Sequence, residues 1–261
     1  MTARTSLDLS ADEFAWLWRT VADGDEFGFP DPLRIQETAT TVAEYTLQTR
    51  AFGQRFATPA IAALRPVFET LARPTSRIRC FGTTSNGYEI RTHAAIDERV
   101  AVILHQQPGP REHSGPIRLV LADPFAAAAH VVATMPSAEP GGAGSMLGYT
   151  PRVRGDEPPT SWGRTGDGRL PVDERIRKLA RIPRSAEGQL IIERDLTSNR
   201  PWPPHYLSWI DIPSGQFASG RYLVEVRNHE TIVTAASTAR IAQELRRHAG
   251  LRSDNQRRSV S

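Results

Sequence analysis

One order of predicted elements occurs twice along this chain, and that duplication restricts the fold more than any single motif does. Each copy reads as a helix, four strands and a second helix. Between residues 139 and 170, 12 of 32 residues are glycine or proline, which is too many for a regular element. The sequence therefore predicts two related halves, residues 1–138 and 171–251, whose strands join or pack together.

The first half begins with helices and continues as short strands divided by turn signals. Ser10 and Glu13 have the spacing of a capping box, which predicts a helix start there. Thr58-Pro59 opens a further helix, because proline is favoured at the first helical position. The segment from Glu37 to Arg50 is compatible with either helix or strand, since its threonines favour a strand. The four strands predicted next are Ile78–Thr83, Tyr88–His93, Arg99–His105 and Ile117–Leu121.

The second half repeats this order with different residues. A helix at Val172–Ala180 precedes its strands, and a helix with Ile241 and Leu245 follows them, much as a helix at Asp123-Pro124 closes the first half. The four strands predicted between them are Gln189–Leu196, His205–Ile212, Arg221–Val226 and Thr231–Ala235. We therefore expect an α+β fold, in which two pseudo-repeated halves form a largely antiparallel sheet with flanking helices.

The basic residues are almost all arginine, but they do not form a basic region. The formal net charge is +3, from 32 basic and 29 acidic residues, and Lys178 is the single lysine. Such an arginine skew is typical of a GC-rich genome. Because acidic residues are interleaved with the arginines along nearly the whole chain, we expect no nucleic-acid partner.

Cysteine content and the N-terminus both indicate the cytoplasm. Cys80 is the single cysteine and has no internal partner for a disulfide, which fits a reducing compartment. Arg4 is followed by acidic residues and not by the apolar stretch of a signal peptide. The most apolar stretch, Ile117–Met135, contains Arg118 and Asp123, so we expect no membrane insertion.

The sequence contains no recognisable catalytic or metal-binding motif. Its seven histidines show no metal-ligand spacing, and one cysteine cannot complete a CxxC site. A GxSxG elbow and a phosphate-binding P-loop are both missing. We therefore expect no enzymatic activity and no cofactor. A small-molecule-binding or enzymatic α+β domain stays as an alternative, because residues distant in sequence can converge in a fold.

Two of the predicted strands separate an apolar row from a charged row. Alternation puts Tyr222, Val224 and Val226 on one face of their strand, which we assign to the core. The opposite face is either an ordinary solvated surface or a partner site, and we expect helices to leave it uncovered. Its residues are Glu89, Arg91 and His93 in the first half, and Arg221, Leu223, Glu225 and Arg227 in the second.

A series of short motifs in the C-terminal half resembles one known family. Trp209–Gly215 is followed by Gly220–Tyr222 and then, after a strand, by Thr231–Thr234 and a closing helix with Leu245. This order resembles the EspG family, the cytosolic chaperones of mycobacterial and related actinobacterial type VII (ESX) secretion. Further similarities to that family lie at Trp16, Trp18, Phe29-Pro30, Leu33-Arg34 and Leu71–Pro74.

The resemblance implies a function in which no reaction takes place. It implies a monomeric or weakly dimeric chaperone that binds a PE-PPE heterodimer at the helical tip of the PPE subunit, keeps it soluble and delivers it for export. Residues 1–251 would form one such domain, with a disordered basic tail at 252–261. The implied function favours a partner site on the charged face. The candidate contacts, which come from strand alternation in this chain, are Glu89, Arg91, His93, Arg99, Arg221, Leu223, Glu225 and Arg227.

Overall fold

The structure, a computed structural model, describes residues 6–22, 28–109, 114–159, 165 and 168–252. Of the predicted basic tail only Arg252 is described, and the rest of the tail lies outside the described residues. Within the described ranges, no helix has the length and apolar content that a membrane crossing requires. The helices are α1 (Ala11–Val21), α2 (Val42–Arg55), α3 (Thr58–Ala72), α4 (Ala127–Val132), α5 (Thr150–Arg154), α6 (Val172–Arg181) and α7 (Thr238–Ala249). The strands are β1 (Ser6–Leu9), β2 (Ser76–Thr84), β3 (Glu89–Ile96), β4 (Ala101–Gln106), β5 (Ile117–Ala122), β6 (Met146–Tyr149), β7 (Ala186–Arg194), β8 (His205–Ile212), β9 (Gly220–Arg227) and β10 (Glu230–Ala235).

The ten strands of the described ranges form one antiparallel sheet in the order β1-β5-β4-β3-β2-β7-β8-β9-β10-β6. The two halves meet at its centre, where β2 of the first half pairs with β7 of the second over Ser76↔Arg194 to Thr84↔Ala186. Each half thus contributes its strands in the same order outward from this pair. The predicted α+β fold with a largely antiparallel sheet and flanking helices is confirmed.

In the described residues, the first half contains five strands where four were predicted, and the second half contains the four predicted, to which the connection adds a fifth. The extra strands are the sheet edges, β1 and β6. Strand β6 and helix α5 lie within the glycine- and proline-rich connection, where no regular element was expected. Gly148 explains this, because a Cβ atom there would lie 2.7 Å from Ile176 Cδ1 of α6. Glycine at this position permits close packing of a helix on the strand instead of breaking the strand.

The first half opens with two capped helices. The predicted capping box of α1 is present, with Ser10 N–H donating to the Glu13 carboxylate over 2.9 Å and Glu13 N–H to the Ser10 hydroxyl over 3.1 Å. The segment left open between helix and strand is helix α2, which has a second capping box at Thr41 and Glu44. The cap satisfies backbone N–H groups at the helix start, and it outweighs the weak strand preference of the threonines.

Helices cover the two faces of the sheet at different places. On one side, which we call the α7 face, α4 and α7 pack side by side over the central strands. On the opposite side, which we call the channel face, α1 and α3 cover the first-half end, and α5 with α6 covers the second-half end. The two pairs on the channel face are therefore separated by the central strands.

A glycine pair at the junction of the two halves holds a tryptophan against the backbone. Gly82 of β2 and Gly188 of β7 are cross-strand partners, and Trp209 is the partner of Gly188 on β8. A Cβ atom on Gly188 would lie 2.1 Å from Phe81 O and 2.8 Å from Trp209 Cε2. Trp209 is fully buried, so its ring lies across the glycine pair and packs over three strands from both halves.

We expect the substitution Gly188→Ala to destabilise the protein by about 2–3 kcal/mol, because neither the carbonyl of Phe81 nor the buried indole can move away easily. Gly53→Ala is the matched control, since Gly53 lies in α2 with nothing within 4 Å of the added methyl group. That variant should be stabilised by up to about 1 kcal/mol. Urea unfolding of both variants measures the difference, and equal effects would contradict the packing described.

Candidate partner-binding surface

The eight predicted contact residues do not form one surface, because the sheet places them on opposite faces. Cross-strand pairing leads from His93 through Arg79 and Ile191 to Tyr206 on one face. That face continues to Val224 on β9, and not to the neighbouring Leu223. Glu89, Arg91 and His93 are on the channel face, Arg221, Leu223, Glu225 and Arg227 are on the α7 face, and Arg99 is in the β3–β4 turn.

Arg221 is buried and belongs to the protein core, so the expectation of an exposed contact was wrong. Its side chain is 1% exposed and donates two hydrogen bonds of 2.6 Å to the carboxylate of Asp211, its cross-strand partner. It also donates to Pro136 O over 2.6 Å, and its guanidinium lies 5.3 Å from the ring centre of Trp209. The side-chain bond to Pro136, with the backbone bond from Arg221 N–H to Glu139 O over 2.7 Å, fixes the end of the first half and the start of the interhalf connection on β9.

Replacing Arg221 should therefore reduce stability. Arg221→Met leaves the Asp211 carboxylate buried without a counter-charge, which costs about 3–5 kcal/mol. The double variant Arg221→Met with Asp211→Leu removes both charges and should recover much of that loss. Thermal and urea unfolding measure both effects. A single variant as stable as the parent would contradict the structural role of this pair.

His93 is likewise buried, in contrast to the exposed site expected for it. The residue is 2% exposed, and its Nδ1 lies 2.6 Å from the carbonyl oxygen of Asp31. Burial lowers the pKa of His93 from 6.5 to about 4, against the opposing effect of the bond to Asp31. The imidazole is therefore neutral at physiological pH, and it helps to hold the loop at Asp31 on the sheet.

This burial predicts a loss of stability in mild acid. Above pH 6.5 the ring is neutral in both the folded and the unfolded chain, but below it the unfolded chain takes up a proton that the folded chain resists. As the pH falls from 6.5 to about 4, His93 should lower the free energy of unfolding by up to about 3 kcal/mol. Urea unfolding across this range should show a shallower pH dependence for His93→Gln, and an unchanged slope would contradict the burial.

Glu89 is exposed and Arg91 is partly exposed, but on β3 they lie apart from the predicted residues of the second half. They line a polar groove of about 460 Å³ at the first-half end of the channel face, with Gln106 and Arg34. Arg91 donates one hydrogen bond to Pro32 O over 2.9 Å. It donates a second to the carboxylate of Glu89, and this second bond lowers the pKa of Glu89. Arg99 is exposed in the turn beyond the far end of β3, more than about 20 Å from Glu89 at the usual rise of a strand. A binding role for these three residues stays a prediction.

The surface that helices leave open is the middle of the channel face. It extends over β2 and β7 and the adjoining parts of β8 and β9, between α3 on one side and α6 on the other. We call this surface the central channel. Tyr206 and Val226 are 52% and 51% exposed there, and Val224 beside them is half-buried. The other residues of its floor are Phe81, Gln189, Ile191 and Ser208.

The sequence had assigned Tyr222, Val224 and Val226 to the core, and that assignment holds for Tyr222 and in part for Val224, which packs against the α6 cluster, but not for the exposed Val226. Tyr222 is fully buried and donates its hydroxyl to Ala218 O over 2.8 Å, beneath α6. Alternation along a strand separates two faces but does not show where a distant helix ends. The sequence analysis did not identify Tyr206 and Val226 as surface residues. The only indication in the sequence was the apolar character of their rows near the centre of the sheet, and that indication is weak.

Charged side chains line the first-half side of the channel. Arg79 is 3.0 Å from Glu193 Oε2 and 2.7 Å from Asp31 Oδ2, and Arg77 is 3.6 Å from the same Glu193 oxygen. Burial lowers the pKa of Arg77, although Glu193 opposes this. Among the described residues, no group of three or more metal-ligating side chains is assembled. An apolar floor beside paired charges suits a protein partner.

Comparison with known proteins shows which family and which fold this chain resembles. A sequence model of the EspG family matches residues 10–247. A solved structure of the Mycobacterium tuberculosis type VII secretion system chaperone EspG5, in complex with the PE25-PPE41 dimer, has a similar fold with a TM-score of 0.60. At 14% identity, the alignment covers 94% of this chain and 95% of the EspG5 chain. No curated protein sequence gives a significant match.

Proposed function

The chain belongs to the EspG family, and on that premise we propose that it is a cytosolic chaperone of type VII (ESX) secretion. In this role it binds a PE-PPE heterodimer at the helical tip of the PPE subunit, keeps the pair soluble and delivers it for export. The observation that carries the proposal is the family match over nearly the whole chain. The similarity in fold to EspG5, which was solved with a PE25-PPE41 dimer, supports the class of partner.

The central channel supports this function by its size and chemistry. Four adjacent strands, β2, β7, β8 and β9, span about 14 Å between the outer strand axes at the usual strand spacing. That width accepts one helix, about 10 Å across, or the end of a helical hairpin. The exposed Tyr206 and Val226 would cover apolar groups of the tip, and Arg77 and Arg79 would meet its polar groups.

A chaperone must also release its substrate, and the channel suits reversible binding. Its floor combines half-buried apolar side chains with polar ones, in contrast to the fully buried clusters beneath the helices. Such mixed surfaces are characteristic of transient complexes. A small-molecule or enzymatic role has no observation in its favour among the described residues, so we propose one function without a reaction or a cofactor.

We also propose that residues 1–251 act as one domain in this function. The continuous sheet across β2 and β7 supports this, because each of these two strands would lose one of its pairing partners in a single half. The channel is formed by both halves, so a single half should not bind the substrate.

The test is an affinity measurement with substitutions at the channel floor. Tyr206→Glu and Val226→Glu should each weaken binding of a PE-PPE pair, co-expressed from the same genome, by at least about tenfold. The reason is that each places a charge among apolar groups that become buried on binding. Surface plasmon resonance with the purified heterodimer measures the change.

Leu147→Glu is the matched control for these variants. Leu147 is 54% exposed, much as Tyr206 and Val226 are, but it lies on the α7 face. We expect its affinity for the PE-PPE pair to be unchanged. Equal losses in all three variants, or a loss only in Leu147→Glu, would place the substrate elsewhere and contradict binding in the central channel.

A further inference from the structure

The α7 face has its own groove, between α7 and the strands of the second-half edge. It has a volume of about 190 Å³, and its floor consists of Leu207, Leu223 and Ile232 on three adjacent strands. Leu147 on the edge strand β6 is the cross-strand partner of Ile232 and extends the apolar floor outward. The groove therefore continues into an exposed apolar edge, and we call the two together the edge groove.

The duplication within the chain provides an internal comparison for this surface. Pairing with β4 places Arg118 of β5 opposite His105, just as pairing with β9 places Ile232 of β10 opposite Glu225. In the first half, Arg118 is bonded to Asp8 of β1 over 2.8 Å, which makes that edge polar. The equivalent pair in the second half is Ile232 with the exposed Leu147. The Arg118–Asp8 pair shows that an edge of this sheet in contact with solvent can be polar. The apolar Ile232–Leu147 pair therefore indicates contact with a partner and not with solvent alone.

The rim of the edge groove presents positive charge to solvent. The side chains of Arg227, Arg240 and Arg247 are 46%, 49% and 57% exposed. Their carboxylate partners, Glu225 and Glu244, are each only 12% exposed and lie beneath them. One exposed carboxylate, that of Glu230 opposite Arg227, also lies on this face, so the exposed guanidinium groups outnumber the exposed carboxylates three to one and acidic groups on a partner complement them.

The position above β9 and β10 is the next place for a helix on this face. A helix is about 10 Å wide and covers about two strands of a sheet. Helices α4 and α7 occupy the centre, over β2, β3, β4 and β7. Arg240, Glu244 and Arg247 of α7 lie on the side that faces β9 and β10. A further helix laid beside α7 would cover Ile232 and Leu147, whereas Leu223, expected from the sequence to be an exposed contact, is only 4% exposed and already lies buried at the base of the groove.

A helix fits this place better than an added strand. In strand addition, the partner pairs with free backbone groups at the sheet edge. At β6 the N–H of Tyr149 already donates to Asp173 Oδ1 over 2.9 Å, from the first turn of α6. The edge is thus partly closed to backbone pairing, while the apolar face remains open.

We propose that the edge groove binds an acidic amphipathic helix of a second protein partner. The apolar stripe of that helix would lie on Ile232 and Leu147, above the buried Leu223, and its acidic side chains would pair with the three rim arginines. This proposal goes beyond substrate capture. Because the edge groove and the central channel lie on opposite faces of the sheet, both can be occupied at once.

The test uses a designed peptide and the full-length protein. The probe is a fluorescent 18-residue helix with a leucine stripe flanked by glutamates, and its counterpart has lysines in place of the glutamates. In fluorescence anisotropy, we expect the acidic helix to bind with a Kd on the order of 10–100 µM and the basic helix to bind at least tenfold more weakly. A Kd weaker than about 1 mM for the acidic helix, or equal binding of both peptides, would overturn the proposal.

Variants locate the binding and separate it from substrate capture. Leu147→Glu, and the double variant Arg227→Glu with Arg240→Glu, should each weaken acidic-helix binding at least about tenfold. Arg118→Glu at the equivalent edge and Tyr206→Glu in the channel should leave it unchanged. Prior saturation with the PE-PPE pair should also leave it unchanged, and competition would overturn the proposal. A dimer in sedimentation that Leu147→Glu dissociates would also overturn it, since the occupant would then be a second copy.

Discussion

The antiparallel pairing of β2 with β7 is the interaction on which the rest of the molecule depends. It joins the halves through their first long strands, and Trp209 packs across it on Gly82 and Gly188. Because the two halves are related about this pair, the helices before the strands, α3 and α6, lie on one face at opposite ends. The helices after the strands, α4 and α7, lie together on the other face. The central channel is the space that this arrangement leaves between α3 and α6.

The two halves share one arrangement of strands, but residues at equivalent positions differ between them, and these differences give the two faces of the sheet their chemistry. The second-half strands β8 and β9 hold a buried ion pair, Asp211 with Arg221, and the arginine also bonds to the end of the first half. Arg118 forms an exposed pair with Asp8 at one edge, whereas the equivalent position at the other edge is the apolar Ile232. Duplication therefore explains the architecture, and divergence between the copies explains why two faces of one sheet differ in chemistry.

The sequence was sufficient for the elements whose signals are local. The capping box at Ser10 predicted α1, and the short runs Ile78–Thr83 and Tyr88–His93 predicted the neighbouring strands β2 and β3, and all three elements are present. The edge strands were missed because each has only four residues and depends on its neighbour for its pairing. Exposure of the site residues could not be predicted, because it depends on where helices distant in sequence end. From its strand alone, Arg221 is expected at the surface. In the structure, the β8–β9 register pairs it with Asp211, and the two charges are buried together.

We propose that the substrate lies on the channel face, between the helices of the two halves. Hydroxyl-radical footprinting of the protein, alone and with a bound PE-PPE pair, tests this placement, because it reports side-chain exposure at single residues. If the substrate lies there, oxidation of Tyr206 and Val226 falls on binding while that of Leu147, on the opposite face, is unchanged. Unchanged oxidation of Tyr206 and Val226 with protection of Leu147 would contradict it.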